Sequence, residues 1–252
     1  MKLLTGFCVS ISLFGFLCLL TTCTKEAPAN TAASNNGAGG SLARYSIVGN
    51  YLYLVNRNHL DVYDCTDLAK PTFRSSSLVG FDIETIYPYN NKLFIGAASG
   101  MYVYSLADPA NPKREGSVTH IRSCDPVVAN DSVAYVTLRS FGTTCGSSQS
   151  VLNVYDVKQL QQPKLIKTVV MTSPYGLGIQ KNALYVCDGN NGLSVFDISK
   201  GYEPAIVGTI KGEVFFDVIP YNDILICYIE KGITFFDIKN PLKPISAGTI
   251  KD

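Results

Sequence analysis

Residues 182–210 read NALYVCDGNNGLSVFDISKGYEPAIVGTI, and the reading of this stretch decides the fold. Asn182 opens a turn before the apolar run Ala183-Leu-Tyr-Val186. A second short run, Leu193-Ser-Val-Phe-Asp197, ends in an acidic residue, and Pro204 then introduces a third, Ala205 to Ile210. Runs of four to six residues bounded by Asn, Gly and Pro, with no helical periodicity, are short β-strands joined by tight turns. The same string recurs along the chain. Leu60-Asp-Val-Tyr-Asp64, Met101-Tyr-Val-Tyr-Ser105, Leu152-Asn-Val-Tyr-Asp156 and Ile233-Thr-Phe-Phe-Asp237 align with Leu193 to Asp197. Seven residues after the last position of each copy stands a proline: Pro71, Pro112, Pro163, Pro204 and Pro244. The copies begin 41, 51, 41 and 40 residues apart, so the third unit carries an insertion.

Each copy is preceded by a turn containing Asn: Asn50, Asn90-Asn91, Asn130-Asp131, Asn182 and Asn222-Asp223. Asn tolerates the positive φ of a tight hairpin. Every unit therefore reads strand a, Asn turn, strand b, loop, strand c, Pro turn, strand d. Four short antiparallel strands per roughly 40-residue unit make a propeller blade. One blade leaves two faces and two edges uncovered; stacking around an axis buries the faces. The expectation is an all-β chain, a five-bladed β-propeller of four-stranded antiparallel blades. The Asp that ends strand c is expected to accept hydrogen bonds from turn amides rather than to catalyse or hold metal. Truncating Val154 or Val195 to Ala is expected to cost about 2–4 kcal/mol.

These strings, together with Asp108-Pro-Ala-Asn-Pro112 and Asn240-Pro-Leu-Lys-Pro244, resemble the LVIVD repeats of bacterial and archaeal cell-surface proteins. The resemblance spans about residues 43 to 252, with the fourth and fifth copies nearest the pattern and the first lacking the Asp/Asn-Pro. It implies a propeller and no particular reaction.

The N-terminus reads as an address. Met1-Lys2 and the apolar run Leu3 to Leu20 form an export signal over 1–22. Leu20-Thr-Thr-Cys23 resembles the lipobox of bacterial lipoproteins, in which the Cys is acylated and becomes the mature terminus; Thr22 stands where Gly, Ala or Ser is usual. The resemblance implies lipidation at Cys23 and anchoring to a membrane. The alternative is an uncleaved transmembrane anchor, which the length of the run permits. Residues 23–42 carry almost no large apolar side chain and read as a flexible tether spanning about 25 Å. Lys25-Glu26 is similar to the charged surface-export signal of Bacteroidetes lipoproteins, so the expected location is the outer membrane.

A net charge of +1 leaves no electrostatic footprint for nucleic acid. Of eight cysteines, Cys8 and Cys18 leave with the signal and Cys23 takes lipid. Cys124 and Cys145 fall on loops expected at the same face of blade three, and a bond between them would staple the insertion with about 3 kcal/mol; two free thiols are the alternative. Cys65, Cys187 and Cys227 read as small buried hydrophobes, the last two at equivalent positions on successive blades.

The connections into strand a and the b–c loops are expected on one face, and there the polar residues break the repeat. Glu84, His120, Arg122, Asp125, Arg139, Tyr175, Asp188 and Asp217 are the candidate binding residues, with Arg57, His59 and Glu230 beside them. Catalytic motifs, metal-ligand spacings and cofactor fingerprints are not found: the two histidines are far apart, no CxxC occurs, and Gly176-Leu-Gly178 lacks a third glycine. The expected function is noncatalytic, a binding or scaffold module for an envelope protein or glycan. The alternative is a glycoside hydrolase using Glu84, Asp125 and Asp217 from three blades around the funnel.

Overall fold

The computed structural model describes residues 40–119, 126–140 and 149–251. Among them are twenty strands and no helix, in five four-stranded antiparallel sheets, each built from consecutive strands in sequence order. Blade 1 comprises β1 (Tyr45–Val48), β2 (Tyr51–Asn56), β3 (His59–Asp64) and β4 (Thr72–Leu78). Blade 2 comprises β5 (Ile83–Tyr89), β6 (Lys92–Ala97), β7 (Gly100–Ser105) and β8 (Lys113–Thr119). Blade 3 comprises β9 (Val127–Ala129), β10 (Val133–Leu138), β11 (Val151–Asp156) and β12 (Lys164–Val170). Blade 4 comprises β13 (Leu177–Gln180), β14 (Ala183–Cys187), β15 (Leu193–Asp197) and β16 (Ala205–Ile210). Blade 5 comprises β17 (Phe215–Tyr221), β18 (Ile224–Ile229), β19 (Gly232–Asp237) and β20 (Ile245–Lys251). The blades form a propeller ring with β1, β5, β9, β13 and β17 innermost.

Local chemistry accounts for each hairpin. Asn90, Asn91 and Asn222 adopt positive φ in their a–b turns. In blades 1 and 4 the left-handed position is one residue earlier, at Gly49 and Lys181. Asn130 works differently, accepting hydrogen bonds from the amides of Ser132 and Val133 through its side-chain oxygen. Asp64, Asp156, Asp197 and Asp237 each accept from the amide two residues on, at 2.9 Å. Such bonds favour the ionised form. The carboxyl of Asp64 is held down at about 2 by the Thr66 hydroxyl, the Arg74 guanidinium and the Thr66 amide, and turn amides lower those of Asp156, Asp197 and Asp237. The repeated Asp is a turn cap. The repeat proline stands immediately before strand d in all five blades, where no ladder amide is needed.

The packing follows a rule that the alternation of strand c sets up. The first and third positions of the Leu-x-Val string face the following blade, and the aromatic fourth position faces the preceding one. Leu60 and Val62 are buried against Ile83 and Tyr104 of blade 2. Met101 and Val103 meet Tyr155 of blade 3, Leu152 and Val154 meet Phe196 of blade 4, and Leu193 and Val195 meet Phe236 of blade 5. Strand b adds a crossing tie. Tyr53, Tyr135 and Tyr185, all fully buried, donate through their hydroxyls to Pro109, Gly201 and Pro241 carbonyls on the c–d turn of the next blade, at 2.9, 2.7 and 2.7 Å. Burial raises all three phenols far above their usual range, so they remain donors at any ordinary pH. Phe94 holds the same register position in blade 2 and Ile226 in blade 5, so neither makes the tie.

Five blades thus share four buried seams. The faces that blade 5 and blade 1 turn toward each other belong to no buried cluster. Ile233, the counterpart of Leu193, is 37% exposed, where Leu193 is 0%. Tyr228, Tyr45 and Ile47 on the same two faces are 56, 62 and 55% exposed. At the hub, however, the seam is held. Gly40 and Ser41, placed by the sequence reading on the tether, are packed at the hub: the Leu177 amide donates to Ser41 Oγ at 2.7 Å, and Ser41 is 1% exposed. The correction has a plain cause, since a glycine–serine pair without bulk reads as linker yet is what a crowded hub admits.

Candidate functional site

The b–c turns and the d–a connections lie together, as expected. In blade 1 the Val79 amide donates to the Asn58 carbonyl, and the Ile83 amide to that of Arg57. The Glu230 amide donates to the Val214 carbonyl in blade 5. On this loop face the structure brings some candidates together and separates others. Arg57, His59 and Glu230 are exposed rim residues. His120, Arg122, Cys124, Asp125 and Cys145 lie outside the described residues.

Arg139 and Tyr175 form the nucleus of the site. The guanidinium of Arg139, just beyond β10, sits 3.9 Å from the centre of the Tyr175 ring, within the range of a favourable cation–π contact. Tyr175 is fixed on both sides. Its amide donates to the Cys187 carbonyl, and its carbonyl accepts from the Thr137 hydroxyl at 2.7 Å. Gly189, at φ 53°, leaves the room the ring occupies; a side chain there would sit 3.2 Å from Tyr175 Cε2. Tyr175 meets Phe216 edge-on at 5.1 Å, and Phe216 packs on Tyr228 at 5.6 Å. A strip of one cation and three aromatic rings therefore crosses blades 3, 4 and 5, ending on the uncovered side of blade 5.

Phe216 and Tyr228 escaped the sequence reading because they look like ordinary strand residues. What re-aims Phe216 is a bulge: the β17–β18 register slips between Phe215 and Asp217, so Phe216 has no opposite partner. The β5–β6 ladder slips in the same place, between Ile83 and Thr85, which makes Glu84 the counterpart of Phe216. Glu84 is half-buried in β5 rather than on a loop.

Asp188 and Asp217 have other duties. The Asp188 carboxylate, 1% exposed as a residue, accepts from the amides of Thr172 and Ser173 and from the Asn191 side chain. It ties the d–a connection to the b–c turn. Asp217 points into the hub, accepts from the Val218 amide at 2.9 Å and from the Ser41 hydroxyl at 3.4 Å, and is flanked by Gly40 and Gly176. A Cβ at either glycine would collide with its carboxylate. Burial raises the Asp217 carboxyl to about 6, opposed in part by the Val218 amide and the Ser41 hydroxyl.

Cys187 and Cys227 are both fully buried, but their positions are not equivalent. The register sets Tyr185 opposite Val195 and Ile226 opposite Phe235, so Cys187 lies two residues past the shared reference and Cys227 one. An offset of one residue turns a side chain to the other face of a strand. The two thiols accordingly point at each other across the seam of blades 4 and 5, as free cysteines, with burial raising both. Cys65 is only half-buried. Among the described residues no group of three His, Cys, Asp or Glu could hold a metal ion, and no helix is long and apolar enough to cross a membrane.

Fold and site together define a β-propeller module with an aromatic strip on its loop face. Its blades 1 and 4 match the LVIVD repeat, whose profile fits residues 39–78 and 177–211. The fourth copy is one that the sequence reading found nearest the pattern; the other match falls on the first rather than the fifth. No curated protein matches the chain. Among solved structures, a functionally unknown protein from Desulfotomaculum acetoxidans aligns over 83% of this chain and 69% of its own, at 8% identity and a TM-score of 0.67. The computationally designed Ika8 protein aligns over 82% and 60%, at 14% identity and 0.59. The periplasmic gluconolactonase PpgL of Pseudomonas aeruginosa aligns over 81% and 68%, at 14% identity and 0.59. The chain thus spans 60 to 69% of the length of these proteins, and at such identities the likeness is one of fold.

Proposed function

We propose that this protein is a noncatalytic envelope lipoprotein. Held at the outer membrane by lipid on Cys23, it presents the loop face of its propeller to a protein or glycan partner. The observation that carries the reading is the Arg139–Tyr175–Phe216–Tyr228 strip. Aromatic rings in fixed positions supply contact area at little entropic cost, and an adjacent guanidinium adds a directed donor set. Tyr175 is held by two backbone hydrogen bonds before any partner arrives, which is the preorganisation a binding surface needs.

The test is a pull-down from native envelope with the full-length acylated protein, against a Tyr175→Ala, Phe216→Ala double variant of unchanged circular dichroism. Partners recovered by the native protein should fall at least tenfold with the variant. Identical recoveries would remove the loop face from the account.

A hydrolase reading draws on Asp217, whose carboxyl near 6 suits a general acid. Against it stands the crowding of the carboxylate by Gly40 and Gly176, and its hydrogen bonds from the Val218 amide and the Ser41 hydroxyl. Turnover of chromogenic glycosides abolished by Asp217→Asn would favour this reading over the first.

A further inference from the structure

Arg139 brings a full charge to the aromatic strip, and the chain leaves that charge uncompensated. Its guanidinium lies on the Tyr175 ring, yet its Nε is buried with no hydrogen-bond partner. No described residue forms a salt bridge with it. A buried N–H without an acceptor is costly and rare, and a guanidinium has no neutral form to retreat to. The acids of the neighbouring blades are held elsewhere. Asp188 accepts from the Thr172 and Ser173 amides, Asp217 from the Val218 amide, and Glu213 pairs with Lys251 at 3.5 Å. An anion from outside the chain is the acceptor that Arg139 lacks.

The main chain beneath the strip narrows the kind of anion. The Tyr175 amide donates to the Cys187 carbonyl and the Gly176 amide to that of Phe216, while the Tyr175 carbonyl accepts from the Thr137 hydroxyl. A peptide laid over Tyr175 would find these groups taken, and strand-like peptide recognition depends on such main-chain bonds. What is left to a ligand is side-chain chemistry. A guanidinium stacked on a ring carries its donors around its edge, in the fork that a carboxylate fits. Next along the strip stands Phe216, half-buried and edge-on to Tyr175 at 5.1 Å.

A uronic acid carries both complements in one unit, because its carboxylate is bonded directly to a pyranose ring with an apolar C–H face. An aspartate or glutamate side chain brings the charge on flexible methylenes and no ring. We propose that the loop face takes an acidic glycan, a uronic acid carboxylate accepting from the Arg139 guanidinium while its pyranose ring lies against Phe216. The inference rests on the reading of the loop face as a binding surface and names the chemistry of its partner.

The test is equilibrium dialysis of the full-length protein in detergent against three probes: oligogalacturonate, the same oligomer fully methyl-esterified, and an oligoglutamate of equal charge. Oligogalacturonate should bind. Its methyl ester, with the same rings and no charge, should bind at least tenfold more weakly, and so should oligoglutamate, which has the charge and no ring. Arg139→Gln should lose at least tenfold for oligogalacturonate, and Arg139→Lys should restore only part, since an ammonium lacks the fork. Phe216→Leu, which keeps apolar bulk, should also weaken it. No binding of oligogalacturonate would overturn the proposal, as would equal binding of its methyl ester. Oligoglutamate binding as well as the sugar would overturn it in favour of an acidic peptide. Envelope partners that depend on Tyr175 and Phe216, recovered from a protein blind to oligogalacturonate, would leave the loop face standing and remove only its acidic-sugar chemistry.

Discussion

The seam between blades 4 and 5 and the seam between blades 5 and 1 are written in nearly the same residues, yet one is dry and the other wet. In the first, Leu193 and Val195 are 0 and 2% exposed, the aromatic Phe236 closes over them, and the Tyr185 hydroxyl reaches Pro241. In the second, Ile233 and Phe235 hold the same register, Tyr63 holds the aromatic position, and no tyrosine crosses. Tyr63 turns instead to its own sheet and packs edge-on against Phe73 at 5.6 Å. Apolar side chains in alternation thus make a strand and a face; they do not by themselves make a core. Stabilisation comes from area removed from water, and only a neighbouring blade removes it.

The sharpest way to break this comparison is a matched pair of truncations. Leu193→Ala should destabilise by about 2–4 kcal/mol, because it opens a cavity in a closed seam. Ile233→Ala, at the same position of the next blade, should cost under about 1 kcal/mol, since much of that side chain is already hydrated. Urea unfolding of both variants checks it, and equal losses would mean that the fifth seam is sealed within the monomer.

The second effect concerns the hub, where Gly40 and Ser41 lie against Asp217. The carboxyl of Asp217 is raised in the folded protein to about 6, above the ordinary value it has in the unfolded chain. Between those two values the folded state holds the extra proton, so stability is greatest below about pH 4 on this account and falls as pH rises through 6. The loss should be about 2–3 kcal/mol from this residue. Asp217→Asn should flatten that slope in unfolding free energies measured from pH 4 to 7. An unchanged slope would place the hub carboxylate in water.

The smallest effect sharpens the comparison among closed seams. Tyr185→Phe should cost about 1–2 kcal/mol, since the buried Pro241 carbonyl loses its donor. Phe94→Tyr would install the missing tie between blades 2 and 3. The Leu160 carbonyl stands at the turn position held by Pro109, Gly201 and Pro241, and both Phe94 and Leu160 line one cleft between those blades. A gain of about 1 kcal/mol in thermal unfolding is expected if the hydroxyl reaches it.

The candidate site was legible only in part, and residue by residue the reasons differ. Arg139 and Tyr175 stood out because they interrupt a repeat, and the fold brings them together. Asp188 stood out for the same reason, yet its charge is consumed by the amides of Thr172 and Ser173. Irregularity in a repeat reveals that a residue has a special duty without revealing whether the duty is inward or outward. Phe216 gave no signal at all. Its direction depends on a bulge, and a one-residue slip in a ladder is invisible in a string of apolar letters.

The sequence by itself determined the blade. Turn residues, the capping Asp (Ser105 in the second copy), proline before strand d and period-two alternation are all local, and each copy carries them within about forty residues. Tertiary structure alone decided which faces are covered, where the two buried thiols point, and why burial raises the carboxyl of Asp217 at the hub. Those outcomes depend on the neighbour across a gap. Alternation encodes the presence of an apolar face, but burial needs a second surface, and the curvature that brings one is a property of the whole ring.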